Sequence, residues 1–91
     1  MLYLVYGGEL VHPSTMQFRD PDNIDIVGVF DNRVRARDAW KGKAQLTVDN
    51  AHMRYVVDPV KPEDEVKLDM MRRSGTVEEL RAFVVGYAQP K

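Results

Sequence analysis

Polar and apolar positions change their period along this chain, and each change marks an element. Residues 2–6 read LYLVY, a run of aliphatic and aromatic residues that predicts a strand. The pair Gly7-Gly8 ends that strand or bends it as a bulge before Leu10 and Val11. His12-Pro13-Ser14-Thr15 and Asp20-Pro21-Asp22-Asn23 are turn clusters, and Met16 and Phe18 are expected to pin the long loop between them. Residues 24–30, IDIVGVF, read as a second strand. Strict alternation puts Ile24, Ile26, Gly28 and Phe30 on one face and Asp25, Val27 and Val29 on the other. Gly28 leaves room for a close neighbour, and Trp40 is the expected one.

The period then lengthens to three and four. Asp31 or Asn32 is the expected cap of a helix. Its inner stripe is Ala36, Trp40 and Thr47, flanked by Ala39, Ala44 and Leu46, with Asp38, Gln45 and Asp49 opposite. Asp49-Asn50 is the expected helix end, since asparagine tolerates a left-handed backbone. A third strand is predicted over Ala51 to Val57, with Ala51, Met53, Tyr55 and Val57 alternating with His52, Arg54 and Val56. Asp58-Pro59 stops it. Pro62 with Glu63, Asp64 and Glu65 opens another helix, proline first and acids in the first turn. It runs to Arg72 or Arg73 and breaks at Ser74-Gly75. Thr76 to Glu79 is a capping box for a last helix, with Val77, Leu80, Val84 and Tyr87 on one face, Phe83 beside them, and Gly86 or Pro90 as its stop.

These elements define a single α+β domain. Residues 1–60 form a β-β-α-β core, a three-stranded, largely antiparallel sheet with one helix packed on a face. Residues 61–91 form a C-terminal segment of one or two helices, packed on the core or on a partner. One sheet face is left for those helices, or a second copy of the chain, to cover.

Composition narrows the function classes. The chain of 91 residues has no cysteine, which removes disulfides and thiolate chemistry. The N-terminus lacks the basic flank of a signal peptide, and no apolar run approaches the roughly 20 residues of a membrane span. A soluble, cytoplasmic protein is expected. Thirteen basic and fourteen acidic residues give a net charge of −1, so a globally basic nucleic-acid binder is not indicated.

The densest chemistry is VDNAHMRYVVD, residues 48–58. A histidine titrating near about 6.5, oriented by a carboxylate, can move protons, and His52 with Asp49 and Arg54 has those groups. No nucleophile is close in sequence, however, and a helix end followed by a strand accounts for the same residues. His12 and His52 lie forty positions apart with no metal-binding spacing, so neither a metal nor a cofactor is expected. Gly7-Gly8 lacks the spacing of a phosphate loop. Arg33, Arg35, Arg37, Lys41 and Lys43 make a basic run, in which Arg33, Arg37 and Lys41 share a stripe able to touch phosphates or an acidic partner. The alternative is a solvated helix face, with Lys43 passing beside Trp40. Met70-Met71-Arg72-Arg73 is either an adaptable contact surface or ordinary helix packing.

YLVYGGEL (3–10), DIVGVF (25–30), DAWKGKAQLTVDN (38–50) and AHMRY (51–55) together resemble a family of small alphaproteobacterial proteins catalogued as a domain of unknown function. The resemblance covers about the first two-thirds of the chain and implies a fold and a lineage, not a reaction. Members of that family often carry an apolar, histidine-containing segment after the third strand. This chain has VVDPVKPEDE there.

The sequence therefore points to a small non-enzymatic protein acting through protein–protein contacts as a homodimer. An alternative is binding of a small molecule or anion, or a minor enzymatic role, in a pocket near Trp40, His52, Arg54 and Tyr55. A second alternative is nucleic-acid binding through the basic helix 33–43, by way of Arg33, Arg37 and Lys41.

Overall fold

The computed structural model describes residues 1–14, 17–20 and 23–88, without the side chains of Ser74, Val77 and Ala88. The expected roles of Met16, of the Val77 side chain and of Pro90 lie outside the described residues. Among the described residues six elements follow one another: β1 (Tyr3–Glu9), β2 (Asp25–Phe30), α1 (Arg33–Leu46), β3 (Met53–Pro59), α2 (Pro62–Ser74) and α3 (Val77–Ala88). The sheet order is β2-β1-β3 and both pairings are antiparallel. The α+β class and the order of strands and helices are as the sequence predicts.

β1 is the central strand, and Leu4 and Val5 are fully buried on its opposite faces. The strand does not stop at the glycine pair. Gly7 pairs with both Asp25 and Tyr55, and Gly8 pairs with Arg54. Close approach explains the first glycine: a Cβ at Gly7 would overlap the Tyr55 ring and lie 2.7 Å from the Arg54 carbonyl oxygen.

The irregularity lies in β2 instead. Val5 pairs with Gly28 and Tyr6 with Ile26, so Val27 is an extra residue with no partner of its own on β1. One extra residue reverses the parity of a strand. Ile26 and Val29 therefore both pack on the main core despite their odd spacing. Gly28 and Phe30, paired with Val5 and Tyr3, lie on the other face. This corrects the expected faces, because Ile26 does not share one with Gly28 and Phe30. The close neighbour of Gly28 is also not Trp40; a Cβ there would stand 3.3 Å from the Phe30 ring.

Asn32 caps α1, its Oδ1 accepting from Val34 N at 2.8 Å and Arg35 N at 3.3 Å. Ala36 is fully buried and Trp40 half-buried. The helix ends at Leu46, before Asp49-Asn50, where the Thr47 hydroxyl donates to the Lys43 carbonyl at 3.2 Å. Such local side-chain bonds compete with helix continuation. No described non-glycine residue takes a positive φ, so Asn50 is not a left-handed stop. Its Oδ1 instead accepts from His52 N at 3.1 Å inside the turn. Leu46, expected beside the inner stripe, is 80% exposed.

β3 starts at Met53, later than predicted, which leaves Ala51 and His52 in the turn. It continues through Asp58 to Pro59, where the sequence suggests a stop. Antiparallel bonding alternates along a strand. Leu10 N donates to His52 O and Val60 N to Leu2 O, so the even-numbered residues between them bond inward to β1 and the odd ones face out. The nitrogen of Pro59 thus falls on the outer edge, where no sheet bond is lost.

The second sheet face is covered by this chain's own helices. Leu2, Leu4, Tyr6, Leu10, Phe18, Ile24 and Val60 share one buried cluster with Leu68 of α2 and Val84 of α3, and Leu80, Phe83 and Tyr87 pack against it. The two parts of the chain therefore share a core. α2 begins at Pro62 without a side-chain cap. Tyr87 supplies the missing partner, accepting from Lys61 N at 3.2 Å and donating to Asp64 at 2.7 Å. Thr76 caps α3, its hydroxyl accepting from Glu79 N at 3.1 Å. α3 passes Gly86 and reaches Ala88. Arg81 donates to the Ile24 carbonyl at 2.9 Å and ties this helix to the entry of β2.

Candidate functional site

The sheet face carrying Tyr3, Val5 and Gly7 is crossed by α1, and a cleft of about 700 Å³ opens where the helix overhangs β3. Arg33, Arg37 and Trp40 line it from three successive turns of α1; Tyr3, Tyr55, Val57 and Pro59 line it from the sheet. The spacing of four and three along α1 puts the two guanidiniums and the indole on one side of the helix. Aromatic and aliphatic surface dominates, with positive charge along one wall.

Trp40 is fixed by its polar tip. Its Nε1 donates to the Tyr55 carbonyl at 2.6 Å. That carbonyl belongs to an odd-numbered residue of β3 and so faces the outer edge. Met53 N, another outward group, donates to Asn50 O at 3.1 Å. With Pro59 lacking an N–H, the outer edge of β3 is blunted at three positions, as protected edges generally are.

Tyr55 is held at its other end. Its ring lies across Gly7, and its hydroxyl donates to Asp25 at 2.7 Å. Tyr55, Gly7 and Asp25 are therefore consecutive across all three strands. Burial first, and then the Asp25 carboxylate, pushes the Tyr55 phenol up to about 12. Lys43 completes the group, 3.6 Å from the same Asp25 carboxylate. Arg33 and Arg37 form no ion pair with a described residue, so their charge is available to the cleft.

The structure divides the sequence candidates into two sets. Trp40 and Tyr55 come together with Arg33 and Arg37. His52 and Arg54 do not join them. His52 is exposed in the turn before β3. Arg54 pairs with Gly8 on the opposite sheet face and donates to the Pro13 carbonyl at 3.3 Å. Of the expected group Trp40, His52, Arg54 and Tyr55, the cleft brings together Trp40 and Tyr55: His52 stays in the turn before β3, and Arg54 is paired with Gly8 on the other face. Lys41 is exposed on α1 and does not line the cleft. No chemical motif in the sequence singles out Tyr3 or Asp25; the alternation of Tyr3, Val5 and Gly7 opposite Tyr55 and Val57 is the signal that reaches Tyr3.

Two other groupings have a structural explanation. His12 Nδ1 lies 2.7 Å from Ser14 Oγ, but it also accepts from Ser14 N at 3.2 Å within the same exposed turn, so its lone pair is committed to the backbone. Tyr6 donates to Asp58 at 2.9 Å, and burial together with that carboxylate raises its phenol strongly. Among the described residues no three of His, Cys, Asp and Glu gather as a metal site. No described helix is long and apolar enough to cross a membrane.

Comparison with known proteins gives the lineage. Residues 1–60 match the family model "Domain of unknown function (DUF4170)", and the match ends two residues before α2 begins. The NMR structure of a protein from Caulobacter crescentus is similar, at 39% identity and a TM-score of 0.54, over 68% of this chain and 89% of that one. No curated protein matches the chain. The chain belongs to the DUF4170 family, as its resemblance in YLVYGGEL and the residues around Trp40 implies.

Proposed function

We propose that this member of the DUF4170 family is a non-enzymatic binding protein, and that the α1–β3 cleft takes a small molecule with an anionic group on a flat apolar body. One observation carries the proposal: two guanidiniums without ion-pair partners among the described residues stand beside Tyr3, Trp40 and Tyr55 in one opening. A guanidinium recognises a carboxylate or phosphate through charge-assisted hydrogen bonds. The aromatic and aliphatic floor suits a planar group, and the volume lies in the range of about 300–1,000 Å³ usual for small-molecule sites.

Trp40 is the sole tryptophan and reports on the cleft directly. Titration with 2-naphthoate is expected to change its fluorescence saturably, while the neutral 2-naphthalenemethanol binds at least about tenfold more weakly, the loss of one charge-assisted bond. Arg37→Glu is expected to abolish the difference. Equal binding of acid and alcohol, or an unchanged titration in Arg37→Glu, overturns the proposal.

A second function, contact between copies of the chain as a homodimer, is supported by a different feature. Val66 and Met70, on the outer side of α2, are 71% and 64% exposed. Large apolar side chains placed side by side at the surface are a common mark of interaction. The sheet offers less: both faces are covered and the outer edge of β3 is blunted. Light scattering across a concentration series tests the oligomeric state.

A further inference from the structure

We infer that two copies of the chain pair α2 against α2 about a two-fold axis, with Leu68 level with the axis. The inference rests on the homodimer just proposed and names its surface. On the outer side of α2 the residues at spacings of three, four and three are Glu63, Val66, Met70 and Arg73. All four are exposed. The row reads acid, apolar, apolar, base, and this order is self-complementary. In an antiparallel pair centred on position 68, Val66 of one copy faces Met70 of the other, and Glu63 faces Arg73. A two-fold interface requires that the same patch serve both sides in this way.

Several features agree. The apolar pair lies at the centre of the row and the charges at its ends, the arrangement of an interface core and its rim. The surface beside Val66 and Met70 is concave, a groove of about 550 Å³ shared with Met71, Gly75 and Glu79, so it accepts a partner's side chains. Methionine adapts its shape to such contacts. Arg73 also bridges Asp69 at 3.2 Å in its own helix, but Asp69 is shared with Arg72 at 2.9 Å, so this end of the row keeps a net positive charge. Helix-on-helix contact alone buries less than the roughly 1,200 Å² of a stable interface, so the dimer is weak and concentration-dependent.

Charge reversal provides the decisive experiment. Sedimentation equilibrium of the full chain, up to millimolar concentration, is expected to show a monomer–dimer equilibrium. Glu63→Arg brings two guanidiniums face to face at both ends of the row, and Arg73→Glu brings two carboxylates face to face there. Each variant alone is expected to associate about tenfold or more weakly than wild type, because like charges meet twice. Mixing the two variants pairs opposite charges at one end of the row and restores the partners there, while the other end also gains an opposite-charge pair in reversed order. A heterodimer tighter than either homodimer is therefore expected. Circular dichroism checks that each variant keeps its helices. A mixture no tighter than either variant alone overturns the arrangement. A dimer that survives Met70→Asp unchanged overturns this surface but leaves the homodimer standing. A monomer at every concentration overturns both.

Discussion

The Tyr55 ring lies over Gly7: the two are paired on neighbouring strands, and the ring fills the space a side chain at position 7 needs. The ring then reaches Asp25 on the far strand and hydrogen-bonds it. A missing side chain on β1 thus lets one residue of β3 contact one of β2, and this fixes the inner wall of the cleft.

Gly7→Ala is therefore expected to destabilise the protein by about 1–3 kcal/mol, the range for overpacking, since a methyl there overlaps both the Tyr55 ring and the Arg54 carbonyl. Gly42→Ala is the control. Nothing lies within 4 Å of a Cβ at Gly42, which is exposed in mid-helix, and alanine there is expected to stabilise by about 1 kcal/mol. Urea midpoints of the two variants should move in opposite directions. Equal midpoints would contradict the packing described.

Trp40→Phe keeps much of the aromatic bulk but removes the donor to the Tyr55 carbonyl. A loss of about 1 kcal/mol is expected for the hydrogen bond, a little more where the carbonyl stays shielded from water. Thermal unfolding followed by circular dichroism measures it. No change in midpoint would mean that water replaces the indole without cost.

Stability is expected to fall at alkaline pH through Tyr6 and Tyr55, whose folded-state ionisation is raised. Raised values mean that the unfolded chain loses these protons first, near its ordinary value of about 10. Their contribution is therefore complete below about pH 10 and lost as pH rises through about 12 for Tyr55. Urea titrations from pH 8 to 12 should show a plateau and then a decline. Tyr55→Phe should make that decline shallower.

The order of elements is legible in the sequence because each carries its own signal. Asn32 ahead of an alanine-rich stripe, Pro62 ahead of three acids and Thr76 ahead of Glu79 all mark true helix starts. Faces are legible only while the period holds. Val27 breaks the alternation of β2, and nothing in IDIVGVF distinguishes a bulge from a regular strand. Boundaries at the α1–β3 turn shift for a similar reason: Thr47 and Asn50 bond locally, and the competition between those bonds and the helix is settled only in three dimensions. The cleft is half legible. Trp40, Tyr55, Arg33 and Arg37 stand out by chemistry, but their union depends on where α1 crosses β3. His52 and Arg54 share the chemistry of Tyr55's neighbourhood in sequence, but the alternation read there already sets them on the other face, and the late onset of the strand leaves His52 in the turn.

The unpaired Val27 also makes β2 unusually tolerant of a change in chain length. Without it, Ile26 and Gly28 would be adjacent and the strand would alternate regularly, yet Asp25, Ile26, Val29 and Phe30 would each keep the partner they have now. A one-residue gap among relatives is therefore best accommodated at this point, where it changes the local twist of the sheet and leaves its inside and outside intact.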